Sequence, residues 1–142
     1  MSTSTEVATL PAVKPILDAE SMAVDLYSSF PAADVNRVIK YMQGKATPLS
    51  EVIGKTLLVE HVLAHRVEMT DEETGEITLG DRIVLITPKG DAYQAVSAGV
   101  RRSLQLIFHF KGVPPYTPPL KVEVSQIPTR RGFRTFTLTP ID

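Results

Sequence analysis

The chain has 142 residues, a formal net charge of −1 and no cysteine. This length suffices for one domain with its own hydrophobic core and a short tail. Without cysteine, neither a disulfide nor a cysteine-bound zinc stabilises the fold. No apolar run reaches the roughly 20 residues that cross a bilayer, and residues 1–9 lack the basic start and apolar stretch of a secretory signal. We therefore expect a soluble, cytoplasmic protein with no membrane partner.

Charge is distributed unevenly along the chain. Residues 51–80 contain seven acids and two bases, whereas residues 81–142 contain nine bases and four acids. Binding of phosphate depends on the local field and not on the total charge, so the second half can attract a nucleic acid. Domains whose charges serve only solubility show the same imbalance, and both interpretations stay open at this point.

The first 53 residues predict an arm and a helical extension. Residues 1–15 mix Ser, Thr, Ala and Pro without a period, which is typical of a flexible arm. Within residues 16–53 a helix is predicted with Asp34 as its N-cap and Gly44 at its end. Its apolar residues with helical spacing are Val35, Val38, Ile39 and Met42. Because an apolar stripe must pack on something, this helix is expected to contact the main domain or a second copy in a homo-oligomer.

Residues 54–142 predict three strands, a helix and two further strands. The strands are expected at 55–68, 82–87, 92–96, 120–125 and 133–139, and the helix from Ser97, its N-cap, to Lys111. The first strand is long enough to bend across two sheets. A helix between the third and fourth strands is typical of the OB fold. The predicted fold is therefore mostly β: a five-stranded OB-fold barrel with a helix between strands 3 and 4, plus an N-terminal helical extension.

No residue pattern predicts an enzyme. The sequence has no nucleophile elbow, no phosphate-binding glycine loop and no carboxylate pair with suitable flanks. His61 and His65 are four residues apart on a predicted strand, where they share a face with apolar residues. A partly buried structural role is the favoured interpretation and a metal site the alternative. We expect no catalysis, no metal and no cofactor.

Binding of single-stranded nucleic acid needs aromatic faces for base stacking and basic side chains along the backbone. Phe133 is predicted on the opposite strand face from Phe136 and lies within a basic hairpin. Tyr93 begins the third predicted strand near Lys89. For both rings, packing is the alternative role. The candidate nucleic-acid-binding residues are Arg82, Lys89, Tyr93, Lys121, Arg130, Arg131, Phe133 and Arg134.

The segment from Gly90 to Val100, Gly-Asp-Ala-Tyr-Gln-Ala-Val-Ser-Ala-Gly-Val, resembles the short single-stranded-DNA-binding proteins of tailed bacteriophages and related mobile elements. The acidic hairpin at 71–75, the strand at 82–86 and the basic hairpin with an aromatic strand at 130–136 extend this resemblance. It implies an OB fold and sequence-tolerant binding of single-stranded DNA in replication or recombination. It further implies the host cytoplasm as the location and replication proteins as candidate partners.

Three hypotheses about function follow. The first is a non-enzymatic protein that coats and protects single-stranded DNA through base stacking and phosphate contacts. The second is a non-catalytic protein-interaction or structural module on an OB-like barrel, which the near-neutral total charge favours, since a fold does not determine a function. The third is a small hydrolase with a metal at His61 and His65.

Overall fold

The protein, described by a computed structural model over residues 26–128 and 134–142, contains eight strands and two α-helices in these ranges. In chain order they are β1 (Leu26–Ser28), α1 (Val35–Gln43), β2 (Thr47–Pro48), β3 (Thr56–Val59), β4 (His61–Thr70), β5 (Ile77–Ile86), β6 (Ala92–Val96), α2 (Ala98–Lys111), β7 (Leu120–Pro128) and β8 (Arg134–Pro140). Five strands form one sheet, in the order β1-β4-β5-β6-β2, and three form another, in the order β3-β7-β8. The prediction of a mostly β protein is confirmed.

The first predicted strand bends at Glu60, and its two halves belong to different sheets. β3 pairs antiparallel with β7, whereas β4 pairs antiparallel with β5. The bend therefore joins the two sheets around one hydrophobic core. Buried residues of this core include Leu57, Val59, Val62, Ile83, Leu85, Val122, Val124 and Leu138 from the strands, and Val100, Leu104 and Ile107 from α2.

The helix α1 covers the opposite face of the five-stranded sheet. Successive strand residues point to opposite faces, and β4 and β5 carry apolar side chains on both. Leu63, Val84 and Ile86 form a second buried cluster with Phe30 and Val38. The five-stranded sheet is thus packed between the main core and α1.

The two sheets do not close into the predicted five-stranded barrel. On one side, α2 lies along the edge of β8, where the Leu138 N–H donates to Ser103 Oγ at 3.0 Å and the Gly99 N–H donates to Thr135 Oγ1 at 3.2 Å. A Cβ atom at Gly99 would overlap the Phe136 carbonyl oxygen, so glycine permits this approach. On the other side, β6 pairs in parallel with β2. Because both edges that a barrel would join have other partners, the sheets stay open.

The segment before Gly54 contributes strands as well as a helix. β1 pairs antiparallel with β4, and β2 pairs in parallel with β6. Tyr27, Leu49 and Val52 are buried in the main core. The division into a flexible arm (1–15), a helical extension (16–53) and an OB-fold domain (54–142) stays a prediction, and residues 1–25 lie outside the described ranges.

Candidate nucleic-acid interface

An open groove of about 770 Å³ lies between β6 and the segment that follows α1. Two contacts hold its walls together. The parallel pairing of Thr47 with Tyr93 attaches the segment to β6, and the Tyr41 hydroxyl donates a hydrogen bond to the Gly90 carbonyl at 2.9 Å. The groove is therefore preformed by backbone pairing and by a tyrosine of α1.

Tyr93 and four charged residues line this groove. The bases are Lys40 and Lys45, and the acids are Glu51 and Asp91. Lys89 is exposed in the adjoining β5–β6 turn. Tyr93 is half-buried and also packs against the main core. The structure thus brings together two predicted candidates, Tyr93 and Lys89, and adds two lysines.

A second groove of about 370 Å³ continues along β6 toward β8. Its lining includes Arg82, Gln94 and Phe136, and it shares Pro48 with the first groove. Phe136 is half-buried and packs against the main core. We refer to the two adjoining grooves together as the β6 cleft.

The β7–β8 connection begins close to the end of the β6 cleft. Pro128 and Arg134 are paired in register, and Thr135, the next residue of β8, contacts the Ser97 hydroxyl at 3.2 Å at the end of β6. Three predicted binding residues, Arg130, Arg131 and Phe133, lie outside the described residues, as does the Arg134 side chain. Their role stays a prediction.

Arg82 lies on the face of β5 that is covered by α1, where its side chain makes four contacts. Its Nε donates to Gln94 Oε1 at 2.6 Å, and its Nη atoms donate to the carbonyls of Tyr41 and Gly44 at 3.2 and 3.1 Å. Nη1 also lies 3.0 Å from His65 Nε2. Most of its five N–H groups are thus used to attach the end of α1 to the sheet. These contacts indicate a positioning role at the cleft.

Lys121 is exposed at the end of β7 that is far from the β7–β8 connection, and it pairs in register with Leu58 of β3. At about 3.3 Å per residue, it lies roughly 20 Å along the strand from Pro128. The structure therefore does not bring Lys121 together with the β6 cleft. Its predicted contact with nucleic acid has no support from this geometry.

Both histidines of β4 have protein partners. His61 Nδ1 lies 3.0 Å from Ser29 Oγ, and the ring stacks on Phe30 with a centroid distance of 4.0 Å. Burial lowers the pKa of His61 and of His65, and in His65 the charge of Arg82 lowers it further. Because an arginine N–H only donates, His65 Nε2 accepts, and the imidazole is neutral. Over residues 26–128 and 134–142, no group of three or more His, Cys, Asp or Glu side chains could hold a metal ion.

Sequence reasoning missed Lys40, Tyr41 and Lys45 as candidate site residues. They flank Gly44, at the predicted end of the helix, and basic residues are common at that position because they complement the helix dipole. Their place beside β6 depends on the pairing of β2, which has only two residues. A strand of two residues has no periodic signal in a sequence.

An open cleft that presents a tyrosine ring among lysines is the type of surface to which single-stranded nucleic acids bind. The sequence model of one family, described as Phage Single-stranded DNA-binding protein of the Phi29 type, matches residues 21–140. The chain therefore belongs to this family of phage single-stranded DNA-binding proteins, and the resemblance seen in the sequence is confirmed. Neither a curated protein nor a solved structure matches the chain. In the described part of the chain, no helix is long and apolar enough to cross a membrane.

Proposed function

We propose that this protein coats and protects single-stranded DNA during replication or recombination, with little preference for base sequence. Bases stack on aromatic rings and phosphates contact basic side chains along the β6 cleft. The observation that carries the proposal is the joint position of Tyr93, Lys40 and Lys45 in one open groove. Every base has a π-face and every nucleotide a phosphate, so such contacts are tolerant of sequence.

The path of the single-stranded DNA follows the cleft toward the β7–β8 connection. It enters beside Lys45 and Lys89, crosses Tyr93 and reaches Phe136 near the start of β8. The arginines of the connection, Arg130, Arg131 and Arg134, then contact the next phosphates, and Phe133 stacks on a base. This path explains why aromatic and basic residues occur together in two separate parts of the chain.

We further propose that the two sheets are an opened form of the OB fold. β3 and β4 together correspond to the first OB strand, and β5, β6, β7 and β8 to the second through fifth. The helix α2 lies between the third and fourth of these strands. The opening between β6 and β8 coincides with the second groove of the cleft. Because β6 and β8 do not pair, there is room for the DNA between them.

We propose that the protein acts in the host cytoplasm without a cofactor and without catalysis, and that replication proteins are its partners. The helical extension at 16–53 is proposed as a contact for a second copy. The alternative function, an interaction module, is favoured by the exposed apolar side chains of Leu106, Phe110 and Leu79.

The test is a titration of labelled oligo-dT and of a duplex of equal length, followed by fluorescence anisotropy over a range of salt concentrations, with and without zinc. We expect tight binding to oligo-dT, weak binding to the duplex and no effect of zinc. Each phosphate contact contributes about 0.7 to the slope of log affinity against log salt on single strands. Replacing Arg130, Arg131 and Arg134 by Ala should therefore flatten this slope by about one to two units.

Phe133→Ala is the matched variant for the same connection. Loss of a stacked ring weakens binding by roughly 1–3 kcal/mol, and we expect the salt slope to stay nearly constant because no charge is removed. If the triple arginine variant has unchanged affinity and an unchanged salt slope, the β7–β8 connection is not part of the interface. Equal affinity of the wild-type protein for duplex and oligo-dT would refute the proposed function.

A further inference from the structure

Among the residues that the structure describes, the hairpin of β4 and β5 extends beyond the rest of the five-stranded sheet as a two-stranded ribbon. The ribbon pairs run from Arg66 with Asp81 to Thr70 with Ile77, and within residues 26–128 and 134–142 neither β1 nor β6 pairs with this part of β4 or β5. At its base, Asp81 forms ion pairs with Arg66 at 3.4 Å and Arg101 at 3.5 Å. The ribbon is therefore anchored to the sheet and to α2. We call residues 66–81 the acidic ribbon.

The tip of the acidic ribbon is an ordered turn with acids on its surface. Asp71 Oδ1 accepts hydrogen bonds from the N–H groups of Glu73 and Thr74 at 2.8 and 3.0 Å, and the Gly75 N–H donates to the Asp71 carbonyl at 2.8 Å. Around this turn are four acids, Asp71, Glu72, Glu73 and Glu76. Negative charge is thus concentrated on a structured surface.

Large apolar side chains lie next to these acids without cover. Ile77 and Leu79 are each 60% exposed, and they share one face of the ribbon. Met69 on the other face is 40% exposed. Adjacent exposed apolar side chains with a polar rim mark a surface that interacts with a partner. The combination of apolar and acidic side chains indicates a partner surface that is apolar and basic.

Such a surface lies along α2, at the junction with the outer side of β8. Two grooves of about 390 and 450 Å³ meet at Ser103, Leu106 and Thr137. Phe110 is 78% exposed and Leu106 55% exposed at this junction. Of the described residues lining the grooves, the charged ones are Arg102 and Lys111, both basic. We call these two grooves the α2 groove.

We propose that the acidic ribbon of one copy of this protein docks in the α2 groove of the next copy. Ile77 and Leu79 enter the groove beside Leu106 and Phe110, while the acids of the turn face Arg102 and Lys111. The ribbon cannot serve its own groove, because its anchored base leaves Ile77 and Leu79 exposed within one molecule. Charge complementarity and the shared apolar character select a second copy as the occupant.

This contact joins two different surfaces, so a pair of copies keeps one free ribbon and one free groove. Such a heterologous contact continues from copy to copy unless a ring closes. A single ribbon tip buries little area, which is typical of weak interfaces, and copies bound side by side on one strand raise each other's effective concentration. We therefore expect the contact to be strongest on oligo-dT long enough for several copies.

Disulfide trapping tests the contact directly because the chain contains no cysteine. A Leu79→Cys protein is mixed with a Leu106→Cys protein under mild oxidation, as free protein at high concentration and on long oligo-dT. We expect a mixed disulfide in both, with more on DNA. Leu58→Cys, an exposed aliphatic position on β3, replaces Leu106→Cys as the control. Equal trapping by the control, or preferential Leu79–Leu79 trapping, would overturn the proposal.

Charge reversal provides an independent test. Glu72→Lys with Glu73→Lys, and separately Arg102→Glu with Lys111→Glu, should each lower trapping at least about fivefold, and the two sets combined in one protein should restore it. Failure of the combined variant to recover would contradict the pairing. Trapping in free protein does not need DNA, and affinity for an oligo-dT that holds one copy is measured separately. Failure of this contact and failure of DNA binding are therefore distinguishable.

Discussion

Tyr93 contacts both the hydrophobic core and the open β6 cleft, so its replacement has to separate packing from stacking. Tyr93→Leu keeps an apolar side chain at the core and removes the ring. We expect affinity for oligo-dT to fall by about 1–3 kcal/mol, which is roughly 5- to 150-fold, with an unchanged salt slope. Fluorescence anisotropy at several salt concentrations measures both quantities.

The control for this substitution is Tyr93→Phe, which keeps the ring and should bind within about twofold of the wild type. Thermal unfolding of all three proteins establishes whether they are equally folded. If Tyr93→Leu binds as tightly as the wild type, Tyr93 is only a packing residue.

His65 connects stability to pH through its burial beside Arg82. Burial holds the pKa of this imidazole below its usual value, whereas an unfolded histidine titrates at about 6.5. Below pH 6.5 the unfolded chain therefore binds a proton that the folded chain does not, and the free energy of unfolding decreases until the pH reaches the lower folded-state pKa. We expect lower stability at pH 5.5 than at pH 7.5 in urea unfolding.

His65→Gln should reduce this loss, since its amide oxygen can accept from Arg82 and does not titrate in this range. His109→Gln, at an exposed position of α2, is the control for removal of one imidazole. An identical loss between pH 7.5 and 5.5 in His65→Gln and in the wild type would contradict a role for this histidine.

At the scale of elements, α1 stabilises the protein through one side of its apolar stripe. Val38 is 3% exposed and packs in the cluster with Leu63 and Val84, whereas the neighbouring Ile39 is 45% exposed. Val38→Ala should lower the free energy of unfolding by about 2 kcal/mol because it leaves a cavity. For a chain of this size, the melting temperature should fall by about 4–8 °C.

Ile39→Ala is the matched control on the same helix and removes a larger side chain. We expect it to change the free energy of unfolding by less than about 1 kcal/mol, because the side chain is largely solvated. Equal destabilisation by both substitutions would mean that α1 is oriented differently on the sheet or contacts a second copy through Ile39.

The elements differ in how well the sequence predicted them. Asp34 and Gly44 flank α1 and Ser97 precedes α2, at the positions predicted. The Ser97 hydroxyl accepts from the Val100 N–H, as an N-cap does, whereas the Asp34 side chain makes no capping hydrogen bond. The strand at Ala92–Val96 has the expected bounds, and the long first strand bends across two sheets. β1 and β2 were not predicted, since three and two residues are too few for a period.

At the scale of the whole molecule, the tip of the acidic ribbon is far from Tyr93 in the β6 cleft. Tyr93 pairs with Leu85, and Ile77, the last paired residue of the ribbon on β5, is roughly 25 Å farther along that strand. The Debye length is about 8 Å at 0.15 M salt and about 30 Å at 0.01 M. At physiological salt, the negative charge of the ribbon tip is therefore screened from DNA in the cleft. The net charge of −1 is thus compatible with DNA binding.

Glu72→Gln with Glu73→Gln tests this separation. On an oligo-dT that holds one copy, we expect less than about a twofold change in affinity at 0.15 M salt and a clear increase at 0.01 M, where repulsion acts over the full distance. Anisotropy titrations at the two salt concentrations measure the difference. An equal increase at both would place the ribbon close to the bound strand.

The sequence by itself determined the mostly β class, the two helices with the N-cap of α2, and the family through the segment at 90–100. These features depend on neighbours in the chain: periodicity, capping and local motifs. Tertiary structure alone decided that the sheets stay open, because α2 takes the edge of β8 and β2 takes the edge of β6. It also showed that Arg82, a predicted DNA contact, attaches α1 to the sheet, and it brought Lys40 and Lys45 beside Tyr93. Such edge and side-chain partners are distant in sequence, and no local pattern specifies which groups meet.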